Sequence, residues 1–242
     1  MFLLDNNFNE NITKRNGIIF SDLEGVLTIS KSIWEKLNLE MGMSKREDFL
    51  LYKEFMNGKI NYSEWANKIF LKWKQYSPQK INKLYLEKFL KEQLICRNDA
   101  KSFIKKCKKN FYFIVISGAP SIYCELAKNE LEFDDYYSLS KFIFDELGNL
   151  KSIHGDKFGF NKDKIMEFII HDYQIEIDKT VAIGDSENDI TLLNKAGLGI
   201  LVNYDFTFKK YIQKLKPKVI KMKKIDFDRI LRIIFDYFNI NY

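Results

Sequence analysis

The sequence predicts an α/β protein built on a parallel sheet, with a block of helices inserted after the first strand. Short apolar runs that suit buried strands alternate with amphipathic segments that suit helices. One long segment, residues 31–95, lacks such runs and carries aromatic side chains at roughly helical spacing. We therefore predict an α/β core domain at residues 1–30 and 96–242 and a helical cap domain at 31–95.

The predicted elements follow one another in the order typical of this class. After a polar leader, the chain has strands at 17–20, 111–116, 137–144, 180–184, 199–202 and 218–221. Three or four helices are expected between residues 31 and 91, and others at 100–109, after 117–120, and at 163–171, 186–195 and 227–238. Pro120 suits the first turn of the helix after 117–120. Ser186 and Asp189 have the spacing of a capping box.

Composition favours a globular protein that stays in solution. Hydrophobic residues make up 46% of the chain and aromatic residues 15%, which is enough for a real core. Three cysteines without CxxC spacing are typical of a reducing compartment. The N-terminus lacks the features of a secretory signal, and the longest apolar run is far too short to span a bilayer. We expect a cytoplasmic protein without a membrane partner.

The chain is moderately basic, with a formal net charge of +6. Eight lysines fall between Lys209 and Lys224. We interpret this lysine run as a solvated surface, so nucleic acid is not an expected partner. A surface for nucleic acid is the alternative interpretation of the same residues.

Polar side chains follow three of the predicted strands at the point where each strand ends. Asp22-Leu23-Glu24 follows the first, Ser117-Gly118 the second, and Gly-Asp-Ser-Glu-Asn-Asp at 184–189 includes the end of the third. A helix start brings Lys162 close by, with Lys157 as a nearby alternative. Ligands of open α/β sheets bind beyond the carboxyl ends of the strands, so these groups are expected to meet there.

The expected cluster of four carboxylates, a hydroxyl and a lysine suits phosphoryl chemistry. Crowded carboxylates repel one another, and oxygen-only donors favour Mg²⁺ as the balancing cation. A carboxylate can attack phosphorus, and a second acid can protonate the leaving alcohol and then activate water. Lysine and a Ser-Gly turn would hold the phosphoryl oxygens. Each of these residues alone is more often a turn, cap or surface residue, so the prediction depends on the ordered set.

The same residues resemble the four motifs of the haloacid-dehalogenase-type phosphatases. Asp22-Leu23-Glu24-Gly25-Val26-Leu27-Thr28 is similar to the first motif and Ile116-Ser117-Gly118 to the second. Lys162 resembles the third, and residues 184–189 resemble the fourth. The likeness covers roughly residues 17 to 235. It implies a Rossmann-like sheet and Mg²⁺-dependent hydrolysis through a phosphorylated aspartate.

The resemblance also implies a role for each motif residue. Asp22 would be the nucleophile and Glu24 the general acid/base, in a family whose phosphatases usually have aspartate at the latter position. The longer Glu24 side chain is expected to require a slightly rearranged cavity. The resemblance also implies that phosphate would bind to Ser117, Gly118 and Lys162. The metal would bind to Asp22, Glu24, the Leu23 carbonyl and Asp185. Asn188 and Asp189 would support these ligands.

The expected substrate is a small-molecule phosphomonoester, and we expect phosphoserine to be a poor substrate. The segment at 57–65 resembles the cap of the phosphoserine phosphatase branch. That branch holds the amino group and carboxylate of phosphoserine at positions that fall here on Lys31 and Ile69, with Glu35 and Lys68 as nearby substitutes. Lysine would repel the ammonium group, and isoleucine cannot bind a carboxylate. The alternatives are phosphoryl transfer to an acceptor alcohol and a non-catalytic, nucleic-acid-associated role for the lysine run.

Two further groups of residues are expected to be structural. The aromatic side chains of the cap should mainly pack its helices against one another; they are Trp34, Phe55, Trp65, Phe70 and Trp73. His154 is expected at the surface, although it lies near the third motif in the chain.

Overall fold

The structure, a computed structural model, describes residues 15–159, 161–204 and 208–241. Within these residues seven strands form one sheet: β1 (Gly17–Ser21), β2 (Phe111–Pro120), β3 (Asp135–Phe144), β4 (Leu150–Gly155), β5 (Thr180–Gly184), β6 (Leu198–Val202) and β7 (Ile220–Met222). The spatial order is β4-β3-β2-β1-β5-β6-β7. All neighbouring strands are parallel except β3 and β4, which form an antiparallel hairpin. The predicted α/β class is confirmed.

Helices cover the sheet and fill the segment after β1. They are α1 (Ile33–Glu40), α2 (Lys45–Met56), α3 (Tyr62–Tyr76), α4 (Lys83–Gln93), α5 (Ala100–Cys107), α6 (Ser121–Leu131), α7 (Lys162–Asp172), α8 (Ile190–Lys195), α9 (Lys209–Ile212) and α10 (Phe227–Tyr237). We call α1 to α4 the helical insert. Its division from the rest as a separate domain at 31–95 stays a prediction, and residues 1–14 of the predicted core lie outside the described part. No described helix combines the length and apolar character that crossing a bilayer requires.

The central strand sets the position of the site. All five residues of β1 are buried, as expected for a strand with parallel neighbours on both sides and helices over both faces. Ser21 at its end lies level with Val115 of β2 and Ile183 of β5. The residues that follow these three positions therefore emerge at the same edge of the sheet.

The helices of the insert begin at capping residues. Capping boxes start α2 at Ser44 and α3 at Asn61, where each cap side chain exchanges hydrogen bonds with a glutamate three residues later. Asn82 caps α4 by accepting from the backbone N–H of Tyr85. Each such cap stabilises its helix by about 1 kcal/mol.

The insert packs on the β3–β4 hairpin through an aromatic cluster. Trp73 of α3 is fully buried, and its indole N–H donates to Oδ1 of Asn38 in α1 at 2.8 Å. Its ring meets Phe142 of β3 edge to face, with centroids 5.9 Å apart. Phe55 and Phe70 are partly buried against the same core. The packing role predicted for these aromatic residues is confirmed.

Several predicted boundaries differ from the structure, and three of the differences have a local explanation. Strand β2 runs on to Pro120, which pairs with Ser140 of β3, so the proline precedes α6 instead of lying in its first turn. The helix predicted at 186–195 begins as a 3-10 turn, Glu187–Asp189, before α8. Strand β7 starts at Ile220 because the backbone N–H of Val219 bonds to the Lys216 carbonyl and holds the preceding residues in a turn.

Replacing Trp73 with alanine tests how much the insert depends on this packing. We expect Trp73→Ala to lower the free energy of unfolding by about 3–5 kcal/mol, because it opens a cavity and removes the bond to Asn38. Leu71→Ala is the matched control, since Leu71 lies on the same helix and is 54% exposed. Its effect should stay within about 0.5 kcal/mol. Equal losses in urea unfolding of the two variants would contradict this account.

Candidate active site

The predicted residues converge at the carboxyl edge of the sheet. They border a cavity of about 680 Å³ that is open to the helical insert. Six of the predicted site residues line it: Asp22, Glu24, Gly118, Lys162, Asp185 and Asn188. Ser117 and Asp189 are completely buried beside them. The register of β1, β2 and β5 therefore brings together motifs that are far apart in the sequence.

A buried ion-pair network forms the base of the cavity. The Lys162 ammonium lies 2.9 Å from Oδ1 of Asp22 and 2.7 Å from Oδ1 of Asp189. Burial by itself would lower the pKa of Lys162, but the two carboxylates outweigh burial and raise it. Lys162 therefore stays charged, although its side chain is only 3% exposed.

The structure places Lys162, and not Lys157, in the site. The Lys157 ammonium lies over the rings of Phe158 and Phe168, 4.9 and 5.8 Å from their centroids. His154 is exposed on β4, as predicted, and its Nε2 lies 3.0 Å from the Ser152 hydroxyl. Neither side chain lines the cavity.

Asp189 holds the loop after β5 in shape. Its Oδ2 accepts hydrogen bonds from the backbone N–H groups of Asp185 and Ser186 and from the Ser186 hydroxyl, all at 2.9–3.0 Å. This is the capping box that the sequence predicts. A side chain at Gly184 would collide with Asp189, since an added Cβ would lie 2.4 Å from the Asp189 Cβ. The contacts of Asp189 agree with the supporting role predicted for it.

The carboxylates exceed the positive charge in the site. Burial, together with Asp22 and Asp189, raises the pKa of Asp185 to about 8. Burial also raises the pKa of Asp22 to about 6, with Lys162 opposing the shift and Asp189 adding to it. Both shifts indicate that Lys162 alone does not balance the negative charge of the ionised carboxylates here.

These carboxylates are close enough to share a cation. Asp22, Asp185 and Asp189 each offer an oxygen within 4.8 Å of the others. Asp189 already accepts bonds at both oxygens, so Asp22 and Asp185 are the donors that remain. Carboxylate oxygens, without histidine or cysteine in the group, match the preference of Mg²⁺.

Two members of the predicted ligand set do not fit. The Leu23 carbonyl accepts hydrogen bonds from the backbone N–H groups of Leu27 and Thr28, both at 2.9 Å, and from the Thr28 hydroxyl at 3.3 Å. These donors engage the lone pairs that a metal would need. The Glu24 carboxyl lies outside the group of Asp22, Asp185 and Asp189. We therefore propose no metal contact for the Leu23 carbonyl or the Glu24 carboxyl, and a ligand role for another atom of Glu24 stays a prediction.

Glu24 is anchored on the first helix of the insert. Its Oε1 accepts a 2.5 Å hydrogen bond from the backbone N–H of Ile33, in the first turn of α1. Burial and the neighbouring Asp22 raise the pKa of Glu24 to about 8, so the carboxyl is protonated at neutral pH. The longer side chain thus reaches a free N–H at a helix start.

Gly25 is required by both conformation and space. Its φ of +76° lies in the left-handed region, and an added Cβ would lie 1.9 Å from Oδ2 of Asp185. Its carbonyl accepts from Arg97 at 3.0 Å and from Asn203 at 3.1 Å. The first-motif loop is therefore held tightly against Asp185.

Trp34 of the insert reaches the loop that carries Ser117 and Gly118. Its indole N–H donates to the Gly118 carbonyl at 2.9 Å, and the backbone N–H of Ala119 donates to the Ser117 hydroxyl at 3.1 Å. The peptide between Gly118 and Ala119 is therefore held at both ends. Since the Ser117 oxygen accepts one bond from Ala119, its own proton is directed elsewhere. Trp34 also packs edge to face on Trp65, as its predicted packing role requires.

The positions that correspond to the phosphoserine-binding residues of that branch, and their possible substitutes, lie in different parts of the structure. Lys31 and Glu35 line the cavity. Ile69 is completely buried among the helices and does not line it. Lys68 pairs with Glu54 at 2.9 Å on the surface of the insert, so only Glu35 remains as a substitute.

Several residues that line the cavity were not predicted. From α2 they are Lys45, Asp48, Phe49 and Tyr52, and from the segment around α9 they are Phe208, Lys210 and Tyr211. The Tyr52 hydroxyl is hydrogen-bonded to the Asn188 side chain. In the sequence these positions belong to charged amphipathic helices and to the lysine run, which carry no motif. Only the folding of the insert over the sheet brings them to the cavity.

The lysine run is exposed to solvent at every position whose side chain is described. The predicted solvated surface is therefore confirmed for these residues. The ammonium groups of Lys210 and Lys214 lie 4.6 and 5.1 Å from the centroid of the Tyr211 ring. The Lys218 ammonium donates to the Ala196 carbonyl, and Lys210 also lines the cavity.

Comparisons with known sequences agree with this site. A family model described as haloacid dehalogenase-like hydrolase matches residues 17–197. A phosphoserine phosphatase from Methanocaldococcus jannaschii is 29% identical over 190 residues, which cover 77% of this chain and 85% of that protein. A phosphoserine phosphatase from Archaeoglobus fulgidus is 28% identical over 189 residues, which cover 77% of this chain and 52% of that protein.

Solved structures are similar over most of the chain. A phospho-aspartyl intermediate analogue of phosphoserine phosphatase has a TM-score of 0.70 at 26% identity. A substrate-bound phosphoserine phosphatase complex also has a TM-score of 0.70, at 25% identity. Each match covers 91% of this chain and 99% of the other.

Replacing Trp34 tests whether its hydrogen bond shapes the loop at Ser117 and Gly118. We expect Trp34→Phe to weaken the binding of inorganic phosphate about fivefold, the equivalent of one hydrogen bond of about 1 kcal/mol. The measurement is the inhibition constant of phosphate against a phosphomonoester.

A neighbouring tryptophan provides the matched control. Trp65 is buried next to Trp34, and its indole nitrogen has no hydrogen-bond partner among the described residues. Trp65→Phe therefore shortens a ring without removing a bond, and it should change phosphate inhibition less than Trp34→Phe. Equal inhibition constants for the two variants would show that ring packing alone matters.

Proposed function

Since the chain belongs to the haloacid dehalogenase-like hydrolase family, we propose that it is a Mg²⁺-dependent phosphatase that hydrolyses a small-molecule phosphomonoester through an aspartyl-phosphate on Asp22. The observation that carries the proposal is the position of Asp22. It is buried directly after the central strand, beside a charged lysine and a protonated glutamate.

In the first step, Asp22 attacks phosphorus. Its Oδ1 accepts from the backbone N–H of Leu23 at 2.7 Å and lies 2.9 Å from the Lys162 ammonium, and these contacts hold the carboxylate in place. A bond forms between an Asp22 carboxylate oxygen and phosphorus while the bond from phosphorus to the leaving oxygen breaks. Protonated Glu24 gives its proton to that oxygen, and the alcohol departs.

In the second step, water hydrolyses the aspartyl-phosphate. Glu24, now a carboxylate, takes a proton from the water as its oxygen attacks the phosphorus. The bond between phosphorus and Asp22 breaks, which releases inorganic phosphate and restores the Asp22 carboxylate. Lys162, the Ser117 hydroxyl and the Gly118 loop stabilise the phosphoryl oxygens during both steps.

Asp22 and Asp185 would hold the metal. When bound, Mg²⁺ supplies positive charge that neutralises the phosphoryl oxygens and favours the ionised form of both aspartates. Asp189 fixes the backbone N–H of Asp185, and Asn188 ties the same loop to Tyr52 of α2. The chain thus supplies two ligands and the contacts that keep one of them in place.

Phosphoserine is not the substrate that we propose. A lysine, Lys31, lines the cavity at the position compared with the ammonium-binding glutamate, and it is near enough to Asp185 to influence the pKa of that residue. The position compared with the carboxylate-binding arginine is Ile69, which is buried away from the cavity. A lysine near the metal ligand repels an ammonium group, and no arginine is among the described residues that line the cavity.

Removing the nucleophile tests the chemistry directly. Asp22→Asn should lower phosphate release from a panel of phosphomonoesters by about 10³-fold or more, because amide oxygen cannot form the acyl phosphate. The wild-type protein should also lose turnover in EDTA and regain it with added Mg²⁺. Unchanged turnover in Asp22→Asn would rule out this nucleophile. Phosphorylation of an added alcohol in place of phosphate release would instead indicate a phosphotransferase.

Shortening Glu24 tests its anchoring on α1. Glu24→Asp restores the residue most common at this position in the family, yet we expect it to lower kcat on the order of 10²-fold. The shorter side chain cannot reach both the Ile33 N–H and the leaving oxygen. Glu24→Gln keeps the length and removes the acid, so it should lose at least as much. Wild-type kcat in Glu24→Asp would show that the contact with Ile33 is dispensable.

A further inference from the structure

Besides Trp34 and Trp65, four aromatic side chains line the cavity, and they have no part in the proposed phosphoryl chemistry. Phe49 and Tyr52 come from α2, and Phe208 and Tyr211 come from the segment around α9. We call these four residues the aromatic rim. Two of them belong to the helical insert and two lie outside it, so the rim forms only where the insert meets the rest of the chain.

Phe49 is the most exposed member of the aromatic rim. It is 60% exposed, although it lines the cavity, and its ring stacks on no other ring in the described part of the chain. It lies three residues before Tyr52, so the two side chains share one face of α2. A large apolar ring beside a cavity is a surface that a flat ligand can cover and remove from water.

Tyr52 connects the aromatic rim to the loop that follows β5. Its hydroxyl is hydrogen-bonded to the Asn188 side chain, and burial, together with the nearby Glu187 and Tyr211, raises the pKa of Tyr52. Asn188 directly precedes Asp189, which bonds to Lys162. The aromatic rim is therefore one side chain away from the network that holds the nucleophile.

The other half of the aromatic rim combines π faces with positive charge. The rings of Phe208 and Tyr211 lie 5.6 Å apart between centroids. The Lys210 ammonium lies 4.6 Å from the centre of the Tyr211 ring and also lines the cavity. Positive charge here attracts a phosphate dianion, and the neighbouring rings offer stacking surfaces to whatever the phosphate is attached to.

We propose that the leaving group is a flat aromatic one, and that the substrate class is the nucleoside 5′-monophosphates. The inference rests on the proposed phosphatase function and adds its substrate. Aromatic side chains bind the faces of nucleobases by stacking, largely without regard to base identity. Asp48 and Glu35 also line the cavity and offer carboxylate oxygens to sugar hydroxyls and base amino groups. A short aliphatic leaving group such as serine would leave the four rings uncovered.

A pair of substrates that differ only in the base isolates the stacking contribution. Adenosine 5′-monophosphate and ribose 5-phosphate carry the same phosphate on the same sugar carbon. The wild-type ratio of their kcat/KM values should favour the nucleotide by at least about tenfold, within the range that one stacked base contributes. Phosphoserine in the same assay should have the lowest kcat/KM of the three.

Variants of α2 then assign the preference to the aromatic rim. Phe49→Ala should reduce the nucleotide-to-ribose-phosphate ratio at least about fivefold, and Phe49→Tyr should restore most of it. Leu50→Ala is the matched control, because Leu50 is adjacent, 47% exposed and not a cavity residue. It should keep the wild-type ratio. Both side chains are at the surface, and equal melting temperatures will confirm that the variants fold.

Three results would overturn the inference. They are a wild-type ratio near one, a higher kcat/KM for phosphoserine than for the nucleotide, and an equal effect of Phe49→Ala and Leu50→Ala. Binding of adenosine by calorimetry separates this inference from the proposed function. If no phosphomonoester is hydrolysed but Phe49→Ala weakens adenosine binding, the phosphatase proposal fails and the aromatic rim is supported. Absence of both turnover and adenosine binding would contradict both the phosphatase proposal and the inference about the aromatic rim.

Discussion

The ammonium group of Lys162 lies between the carboxylates of Asp22 and Asp189, and the arrangement of the site depends on it. All three side chains are nearly closed to solvent, so water screens their charges poorly. Without the lysine, two buried carboxylates would repel each other, and Asp189 would lose the partner of one oxygen. The other oxygen of Asp189, Oδ2, accepts from the backbone N–H groups of Asp185 and Ser186. One cation therefore positions the nucleophile and the loop that carries the second acidic ligand.

The helical insert takes part in the site through three polar contacts. The backbone N–H of Ile33 holds Glu24, the Trp34 indole holds the Gly118 carbonyl, and Tyr52 bonds to Asn188. Each contact joins the insert to a different one of the predicted motifs. The position of the insert thus affects the acid, the phosphate loop and the metal-binding loop together. Any motion of the insert on substrate binding would act on all three.

Much of the site was predictable because parallel strands bring their ends to one edge. Asp22, Ser117, Lys162 and Asp185 each follow or border a recognisable element, so their meeting required only the order of the strands. The Leu23 carbonyl was assigned wrongly because a motif does not reveal which carbonyls a tight turn will occupy. The contacts of Trp34 and Tyr52 with the site were not predicted, for another reason. An aromatic residue on an amphipathic helix has the same pattern whether it packs inward or faces a cavity.

The sequence by itself determined the α/β class, the buried strand before Asp22 and the acidic residues at the strand ends, since apolar periodicity and turn chemistry are local properties. Only the tertiary structure decided between Lys157 and Lys162, because both lie near the start of α7 and only the packing of that helix selects one. It also decided which face of α2 borders the cavity. These choices depend on contacts between residues far apart in the chain, for which a single sequence carries no signal.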